Sequence, residues 1–359
     1  GKSIDGLEEQ YNRTLLPAST NLSVNAVMVS QIKKILVKTN NVIGLLYAAD
    51  TSKVKTYVVI GAHYDHLGFG GPGSSSRIQD TSAVHNGADD NASGVSALIE
   101  LAGKLSNEKS NLKHNLIFIA FGAEEMGILG SKNFVEHSPV PVNAIKAMVN
   151  LDMVGRLKED TLLQVNGTGT SKEAVDIINE INKQYSFNLR MSPEGYGPSD
   201  HAAFYGKNIP VFFITTGAHT DYHTPADDRD KINYEGLEKV TKFTYDLLAR
   251  LTFNETMLTF QEAGPQQATG TQRRFRVTLG IMPDVNNTTD KGLLVEFATK
   301  GKPAYNGGMQ KGDIIISMDG KPVRNIQDYM VRLSQLKAGQ TVNVEVIRNN
   351  KTELLIIQL

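Results

Sequence analysis

Residues 116–125 read Leu-Ile-Phe-Ile-Ala-Phe-Gly-Ala-Glu-Glu, and this stretch decides the fold class. Six consecutive apolar residues are typical of a short strand that is buried on both faces of a sheet. Two adjacent carboxylates, Glu124 and Glu125, follow that strand directly. Neighbouring carboxylates repel each other and need cations or protons to coexist. Solvated glutamate pairs are common on protein surfaces, but they seldom follow so apolar a run, so the stretch predicts a buried strand that ends at a charged site.

Other short apolar runs and amphipathic segments extend this pattern on both sides of the stretch. Three further buried strands are predicted at Val58-Val59-Ile60, Ala147 to Asn150 and Val211 to Ile214. Apolar residues recur at helical spacing in three segments, at 95–105, 174–181 and 237–251. Strands that alternate with amphipathic helices are typical of an α/β domain, in which helices cover the faces of a sheet.

The composition excludes several classes of function. The 359 residues include 37 Lys and Arg against 38 Asp and Glu, for a net charge of -1, so no overall field attracts nucleic acid. The apolar runs are far shorter than the roughly 20 residues that a transmembrane helix needs. The chain has no cysteine, so disulfides, thiol catalysis and cysteine-based metal sites are excluded. Any bound metal must be held by His, Asp or Glu.

Polar side chains follow the first of these predicted strands. His63 and Asp65 come directly after it, and ligands of open α/β sheets gather beyond the carboxyl ends of the strands. Residues two apart in an extended segment point the same way, so we expect Asp65 to hold the far nitrogen of His63. A hydrogen-bonded loop pair explains this His-X-Asp sequence equally well.

Further acids and an imidazole follow the other elements. Asp89 and Asp90 precede a helix and are also explained as helix caps. Asp152 follows a strand, where a turn former is an alternative, and His223 lies in a loop, where a structural role is equally possible. Taken together, these side chains converge on one end of one sheet, and all are types that bind divalent metals.

Five motifs in register resemble the zinc-dependent M28 peptidases, a family that includes bacterial aminopeptidases and glutamate carboxypeptidase II. They are Gly61-Ala62-His63-Tyr64-Asp65, Gly87-Ala88-Asp89-Asp90-Asn91-Ala92-Ser93-Gly94, Glu124-Glu125, Asn150-Leu151-Asp152 and Tyr222-His223-Thr224-Pro225. The resemblance implies a zinc exopeptidase fold over residues 54–259, with a mixed, mostly parallel sheet flanked by helices.

The resemblance also implies a cofactor of two Zn²⁺ ions and the residues that hold them. By it, His63 and Asp152 bind one ion, Glu125 and His223 bind the other, and Asp89 bridges both. A cis peptide is expected between Asp89 and Asp90.

Three more residues have catalytic roles by resemblance. Glu124 is the general base, and there is a separate physical reason, because two cations lower the pKa of a water between them and a nearby carboxylate takes its proton. Asp65 orients His63, and Tyr222 donates a hydrogen bond to the developing oxyanion. The segment Ser199-Asp200-His201 resembles a further family segment near the site, although a helix N-cap is an alternative.

The implied activity is that of a di-zinc exopeptidase acting on peptide substrates, first of all an aminopeptidase that hydrolyses N-terminal peptide bonds. One alternative is an M28 carboxypeptidase, for which Arg156 is the obvious cation beside a ligand segment. Another is a glutaminyl cyclase, which in this family works with a single zinc. A non-catalytic binding protein on a peptidase scaffold is a third, which the complete ligand set opposes.

The stretch between His63 and Asp89 is longer than in compact family members. Its Gly- and Ser-rich residues 68–76 predict a mobile surface loop that walls the substrate pocket. The stretch also contains His66 and His85, which we expect to be loop histidines, since only His63 sits directly beyond a strand.

A second, β-rich unit is predicted at residues 275–359, after a linker at 260–274 that has no apolar periodicity. The unit resembles a bacterial-type PDZ domain in four stretches, at 279–282, 292–295, 304–315 and 318–323. Such domains bind a C-terminal peptide as an added strand, with backbone donors after Leu279 capturing its carboxylate. A docking module that binds no peptide is the alternative.

Residues 1–53 form an N-terminal segment that resembles the remnant of an upstream domain. The end of this segment leads into the sheet. The chain begins Gly1-Lys2-Ser3 without a hydrophobic signal core, so we expect the signal segment to be absent from this chain. The habit of the family and the lack of cysteine imply an extracytoplasmic location, periplasmic or secreted.

Overall fold

The computed structural model describes residues 3–14, 36–50, 54–71, 74–78, 82–255, 258–263, 277–289, 291–299, 301–324, 326–333 and 335–359. Two sheets lie in the described chain, one of seven strands and one of six. Residues 1–2, 15–35 and 51–53 of the N-terminal segment and residues 264–274 of the predicted linker lie outside the described residues. Among the described residues, no helix is both long enough and apolar enough to span a bilayer.

The first sheet is mixed and mostly parallel. Its strands are β1 (Val42–Leu46), β2 (Tyr57–His63), β3 (Asn115–Phe121), β4 (Ile145–Leu151), β5 (Leu162–Asn166), β6 (Asn188–Ser192) and β7 (Val211–Thr215). They lie in the order β1-β3-β2-β4-β7-β5-β6, with β1 antiparallel to β3 and β5 antiparallel to β7. The fold class predicted from the sequence is confirmed, although β5 and β6 carry polar residues and were not among the predicted strands.

Helices cover both faces of this sheet. The helices that do so are α2 (Gly94–Ser106), α3 (Leu129–Glu136), α4 (Ala174–Tyr185), α5 (His201–Tyr205) and α6 (Tyr234–Thr252), whereas α1 (Ile4–Thr14) contributes no residue to either core. Helices α2, α4 and α6 pack in one core with Val58 and Ile60, whereas α3 and α5 pack in the other with Val59. Because successive side chains of a strand point to opposite faces, one short run of β2 supplies both cores. Each fully buried side chain of this kind contributes about 1.5–3 kcal/mol.

The parallel central strands end at one edge of the sheet, and this edge positions the site. Strands β2, β3, β4 and β7 run in the same direction. Consequently His63 at the end of β2, the Glu124-Glu125 pair after β3 and Asp152 after β4 converge there. The Asp89-Asp90 pair lies in the irregular turn Ala88–Ser93 that leads into α2. Gly94 allows that turn to pack closely, since a Cβ there would lie 2.7 Å from the Leu151 carbonyl oxygen.

The second sheet belongs to a separate β-rich unit. Its strands are β8 (Ile281–Thr289), β9 (Gly292–Ala298), β10 (Ile314–Met318), β11 (Lys321–Pro322), β12 (Thr341–Arg348) and β13 (Lys351–Gln358), with helices α7 (Pro303–Asn306) and α8 (Ile326–Leu333). They lie in the order β13-β12-β10-β9-β8, and β11 pairs with β10. The unit has its own apolar core, which includes Leu279, Val295 and Tyr329. A β-rich second unit is therefore confirmed. The boundaries drawn from the sequence stay predictions.

Candidate metal centre

One half of the site is formed by three side chains from three elements. The Nε2 atom of His63 lies 3.2 Å from Oδ1 of Asp90 and 3.5 Å from Oδ1 of Asp152. His63 and Asp90 are almost fully buried, with 1% and 3% of their surface exposed. Folding therefore brings one imidazole and two carboxylates together at a point that is largely shielded from water.

The other half uses the second oxygen of the same aspartate. The Nε2 atom of His223 lies 3.2 Å from Oδ2 of Asp90 and 3.2 Å from Oε2 of Glu125. His66 adjoins this half, with Nδ1 2.8 Å from Oε1 of Glu125 and 3.8 Å from Oδ2 of Asp90. The expectation that His66 is only a loop histidine is thus wrong, because its ring turns back onto the end of β3.

The distances and the charges in both halves fit divalent metal ions. Tetrahedral zinc with ligands at about 2.0–2.2 Å places its ligand atoms roughly 3.3–3.6 Å apart, close to the 3.2–3.5 Å between the His nitrogens and carboxylate oxygens here. Burial alone lowers the pKa of an imidazole, but hydrogen bonds to Asp90 and Glu125 outweigh it and raise the pKa of His223 to about 10. The negative charge of these carboxylates must therefore be balanced. Protons on the imidazoles balance it in the absence of metal, and metal cations balance it when they are bound.

Asp89, expected to bridge the two ions, lies outside both halves. Its Oδ1 accepts a 2.6 Å hydrogen bond from the backbone N–H of Gly155, and its Oδ2 lies 3.2 Å from Nε2 of His219. In the irregular turn, successive side chains point in different directions, and Asp90 is the one directed at the strand ends. The cis peptide also differs from expectation, since it joins Asp90 to Asn91.

A buried ion pair holds the Asp89-Asp90 backbone in place. Oδ2 of Asp227 accepts hydrogen bonds from the backbone N–H groups of Asp89 and Asp90, at 2.9 and 3.0 Å. The guanidinium of Arg156 donates to Oδ1 of Asp227 at 2.9 Å and lies 3.4 Å from Asp221. Asp227 escaped the sequence analysis because no local motif links it to residues 137 positions away.

Glu124 lies beside the centre and faces a cavity. Burial raises the pKa of Glu124 to about 9; His63 opposes this shift, and the carboxylates of Asp152 and Asp200 add to it. The carboxylate of Asp65 accepts the backbone N–H groups of Glu124 and Glu125, at 2.9 and 3.2 Å. This carboxyl group is thus held in position, and its proton affinity depends on the charge placed beside it.

Asp65 acts differently from the expectation. Its Oδ1 lies 3.8 Å from Nδ1 of His63, and the backbone carbonyl of Asp65 is the nearer acceptor, at 3.1 Å. The alternation that predicted a carboxylate–imidazole bond ends with β2 at His63, so the Asp65 side chain turns toward the loop after β3. It fixes that loop, while its backbone fixes the imidazole.

The segment Ser199-Asp200-His201 lies behind Asp152. The hydroxyl of Ser199 donates to Oδ2 of Asp152 at 2.7 Å and accepts from the Asn150 amide at 2.8 Å. Asp200 occupies the N-cap position of α5 but makes no side-chain capping bond to the helix. Burial raises the pKa of Asp200 to about 7. Ser199 therefore orients one of the candidate ligands.

The Gly- and Ser-rich loop, of which residues 72–73 lie outside the described chain, packs on the loop that carries His223. The carbonyl of Ser75 lies 3.0 Å from Nδ1 of His223, and Arg77 donates to the carbonyl of Tyr222 at 3.2 Å. His85 lies within this region and bonds Ser76, as expected of a loop histidine. The described part of the loop is tied to the site and holds the imidazole by its outer nitrogen.

A cavity of about 260 Å³ opens beside the centre. Glu124, Tyr222 and His223 line its inner end. The ring of Tyr222 stacks on that of His223, with centroids 3.8 Å apart. Burial, together with the nearby carboxylates of Asp90 and Glu125, raises the pKa of Tyr222, so its phenol keeps its proton and remains a donor.

Both units of the chain are similar to known proteins. The model of Peptidase family M28 matches residues 41–248, and a PDZ domain model matches residues 277–359. Aminopeptidase YwaD of Bacillus subtilis is 30% identical over 276 residues, which are 67% of this chain and 56% of that protein. A probable leucine aminopeptidase of Arthroderma otae is 24% identical over 269 residues, 67% of this chain and 69% of that protein.

A solved structure is similar over the same region. The medium-resolution crystal structure of BSAP, a zinc aminopeptidase from Bacillus subtilis, is 29% identical, with a TM-score of 0.50 over 60% of this chain and 51% of that chain. This chain thus spans little more than half the length of YwaD and about half that of BSAP.

Proposed function

Because the chain belongs to peptidase family M28, we propose that it is a di-zinc exopeptidase, and specifically an aminopeptidase that removes N-terminal residues from peptides. The observation that carries this proposal is the position of Asp90. One of its oxygens faces His63 and the other faces His223, both at 3.2 Å. A carboxylate shared in this way is the arrangement that a pair of metal ions requires.

The residues have defined places in this proposal. His63 and Asp152 hold one ion, Glu125 and His223 hold the other, and Asp90 is shared between them. When bound, two zinc ions polarise a carbonyl group and lower the pKa of water.

The other side chains position groups or move protons. Glu124 accepts a proton from the attacking water and returns it to the leaving amine, since it faces the cavity and its backbone is held beside the centre by Asp65. Tyr222 donates a hydrogen bond to the substrate oxygen as negative charge develops there. Asp65 keeps Glu124 in place through its backbone N–H.

The alternatives fit these observations less well. Arg156, the cation that a carboxypeptidase would use for the substrate carboxylate, is engaged by Asp227 at 2.9 Å. A cyclase with a single zinc would not use the second half of the site, which Glu125 and His223 form. A non-catalytic scaffold has no need of a complete set of buried ligands.

Replacement of Glu124 tests the proposal. In the Glu124→Gln variant we expect both zinc ions to be retained and kcat to fall by about 10²–10⁴-fold, because the amide cannot take up a proton. Zinc quantification and hydrolysis of amino-acid anilides measure the two effects. C-terminal glutamyl peptides and N-terminal glutaminyl peptides serve as comparison substrates. Near-normal turnover in Glu124→Gln, or activity on the comparison substrates alone, would contradict the proposal.

Two further points belong to the proposal. The PDZ domain takes a peptide C-terminus beside β8, which isothermal titration with C-terminal peptides tests. The enzyme works outside the cytoplasm, which fractionation of the producing cells tests.

A further inference from the structure

The cavity beside the metal centre has walls from both domains. On the first domain they include Leu162 of β5, Phe213 of β7 and Met153. On the second they are Pro283 of β8 and Leu294 of β9. The cavity that receives the substrate is therefore not closed by the peptidase domain alone.

The sheet geometry explains how the second domain reaches this cavity. Strand β6 ends the seven-stranded sheet and β8 ends the other, and Cα atoms of the two strands approach within 8 Å of each other. Along β9, Leu293 and Val295 are buried in the PDZ core. Alternation then directs Leu294, which is only partly buried, to the outer face of the sheet. That face borders the cavity.

We propose that Leu294, supported by Pro283, is a specificity-determining wall of the substrate pocket, which takes the apolar side chain of the residue to be removed. This inference rests on the proposed aminopeptidase function. A volume of about 260 Å³ is below the roughly 300–1,000 Å³ typical of pockets for drug-sized ligands, so the cavity suits one residue and not an extended peptide. Leu162, Phe213 and Leu294 give it apolar sides.

The full-length, zinc-loaded protein allows a matched test. Leu354 of β13 has the same side chain in the same domain, but it is 59% exposed and does not line the cavity. In Leu294→Ala, we expect kcat/KM for a leucyl substrate to fall about 10-fold, with a change of less than about 2-fold for an alanyl substrate. Leu354→Ala is expected to leave both values unchanged. Equal effects of the two substitutions, or an equal loss on both substrates, would overturn the inference.

A second variant tests the wall without catalysis. The chain has no tryptophan, so Leu294→Trp and Leu354→Trp each introduce a single tryptophan that can be excited apart from the tyrosines. Saturable binding of free L-leucine should change the emission of Leu294→Trp and leave that of Leu354→Trp unchanged. If Leu294→Trp responds to leucine but the wild-type enzyme hydrolyses no anilide, the proposed activity is refuted, whereas the role of Leu294 as a wall of the pocket is supported. If Leu294→Trp does not respond but the wild-type enzyme is active, only the role of Leu294 as a wall of the pocket is refuted.

Discussion

The metal centre of one domain and the core of the other treat buried carboxylates in opposite ways. In the PDZ domain, Asp313 is 1% exposed and receives two hydrogen bonds from Arg348, at 2.7 and 2.6 Å, and a third from the backbone N–H of Gln310. At the edge of the peptidase sheet, the ion-pair partners of Asp90 and Glu125 among the described residues are imidazoles. The first arrangement is electrically complete within the fold.

The negative charge in the second arrangement is neutralised only when cations bind. A buried carboxylate is costly unless it is paired, and a fold that gathers several without a guanidinium or ammonium among them depends on a ligand for their charge. The difference separates a structural acid from a functional one, even where both are almost inaccessible to water.

The largest expected effect contrasts the two adjacent aspartates. Asp90→Asn removes the shared charge, so we expect the loss of at least one zinc ion and a fall in kcat/KM of about 10³-fold or more. Asp89→Asn is the matched control and should keep both ions, with a loss of no more than roughly 100-fold. Zinc quantification and anilide hydrolysis check both. If the two variants exchange these behaviours, Asp89 is the bridging residue after all.

This pair also shows how far sequence reasoning reaches. The strand runs at 58–60, 116–121, 147–150 and 211–214 could be placed because they are apolar and short, and parallel strands must end at the same edge. The choice between Asp89 and Asp90 could not be made this way. It depends on the dihedral angles of one irregular turn and on Asp227, whose contact with that turn joins distant parts of the chain.

The same limit applies to the imidazoles and to the second domain. His66 is 59 positions from Glu125 in sequence, and only the fold of the loop brings its ring to that carboxylate. That Leu294 borders the cavity depends on how two sheets approach each other, which no motif encodes.

A smaller effect, on stability, is expected from the carboxylate that is already paired with an arginine. Arg348→Met leaves Asp313 buried without its partner and should destabilise the PDZ domain by about 3–5 kcal/mol. Arg324→Met breaks the pair with Asp328, in which the arginine is 74% exposed, and should change the stability of the domain far less, because water screens this pair. Hydrogen exchange of β12 measures both, and zinc content should not change. Equal protection in the two variants would show that burial of this pair has no energetic consequence.

The smallest effect concerns a buried imidazole without a carboxylate. Burial lowers the pKa of His201 to about 3, and its ring stacks on Phe213 with centroids 4.5 Å apart. The folded chain keeps this ring neutral, whereas the unfolded chain protonates it below about pH 6.5, so stability is lost as the pH falls toward 3.

Replacement of this histidine should flatten the acid limb of the stability curve. Between pH 6.5 and 5, we expect wild type to lose about 1.5 kcal/mol more than His201→Leu, with zinc removed from both. Urea unfolding at several pH values measures the difference. Parallel curves would mean that His201 is protonated within the fold and has a counter-charge.

A zinc anomalous difference map of crystals of the full-length protein tests the central claim most directly. We predict two peaks, one between His63 and Asp152 and one between Glu125 and His223, with one oxygen of Asp90 beside each. A single peak, or a peak between Asp89 and His219, would contradict the account.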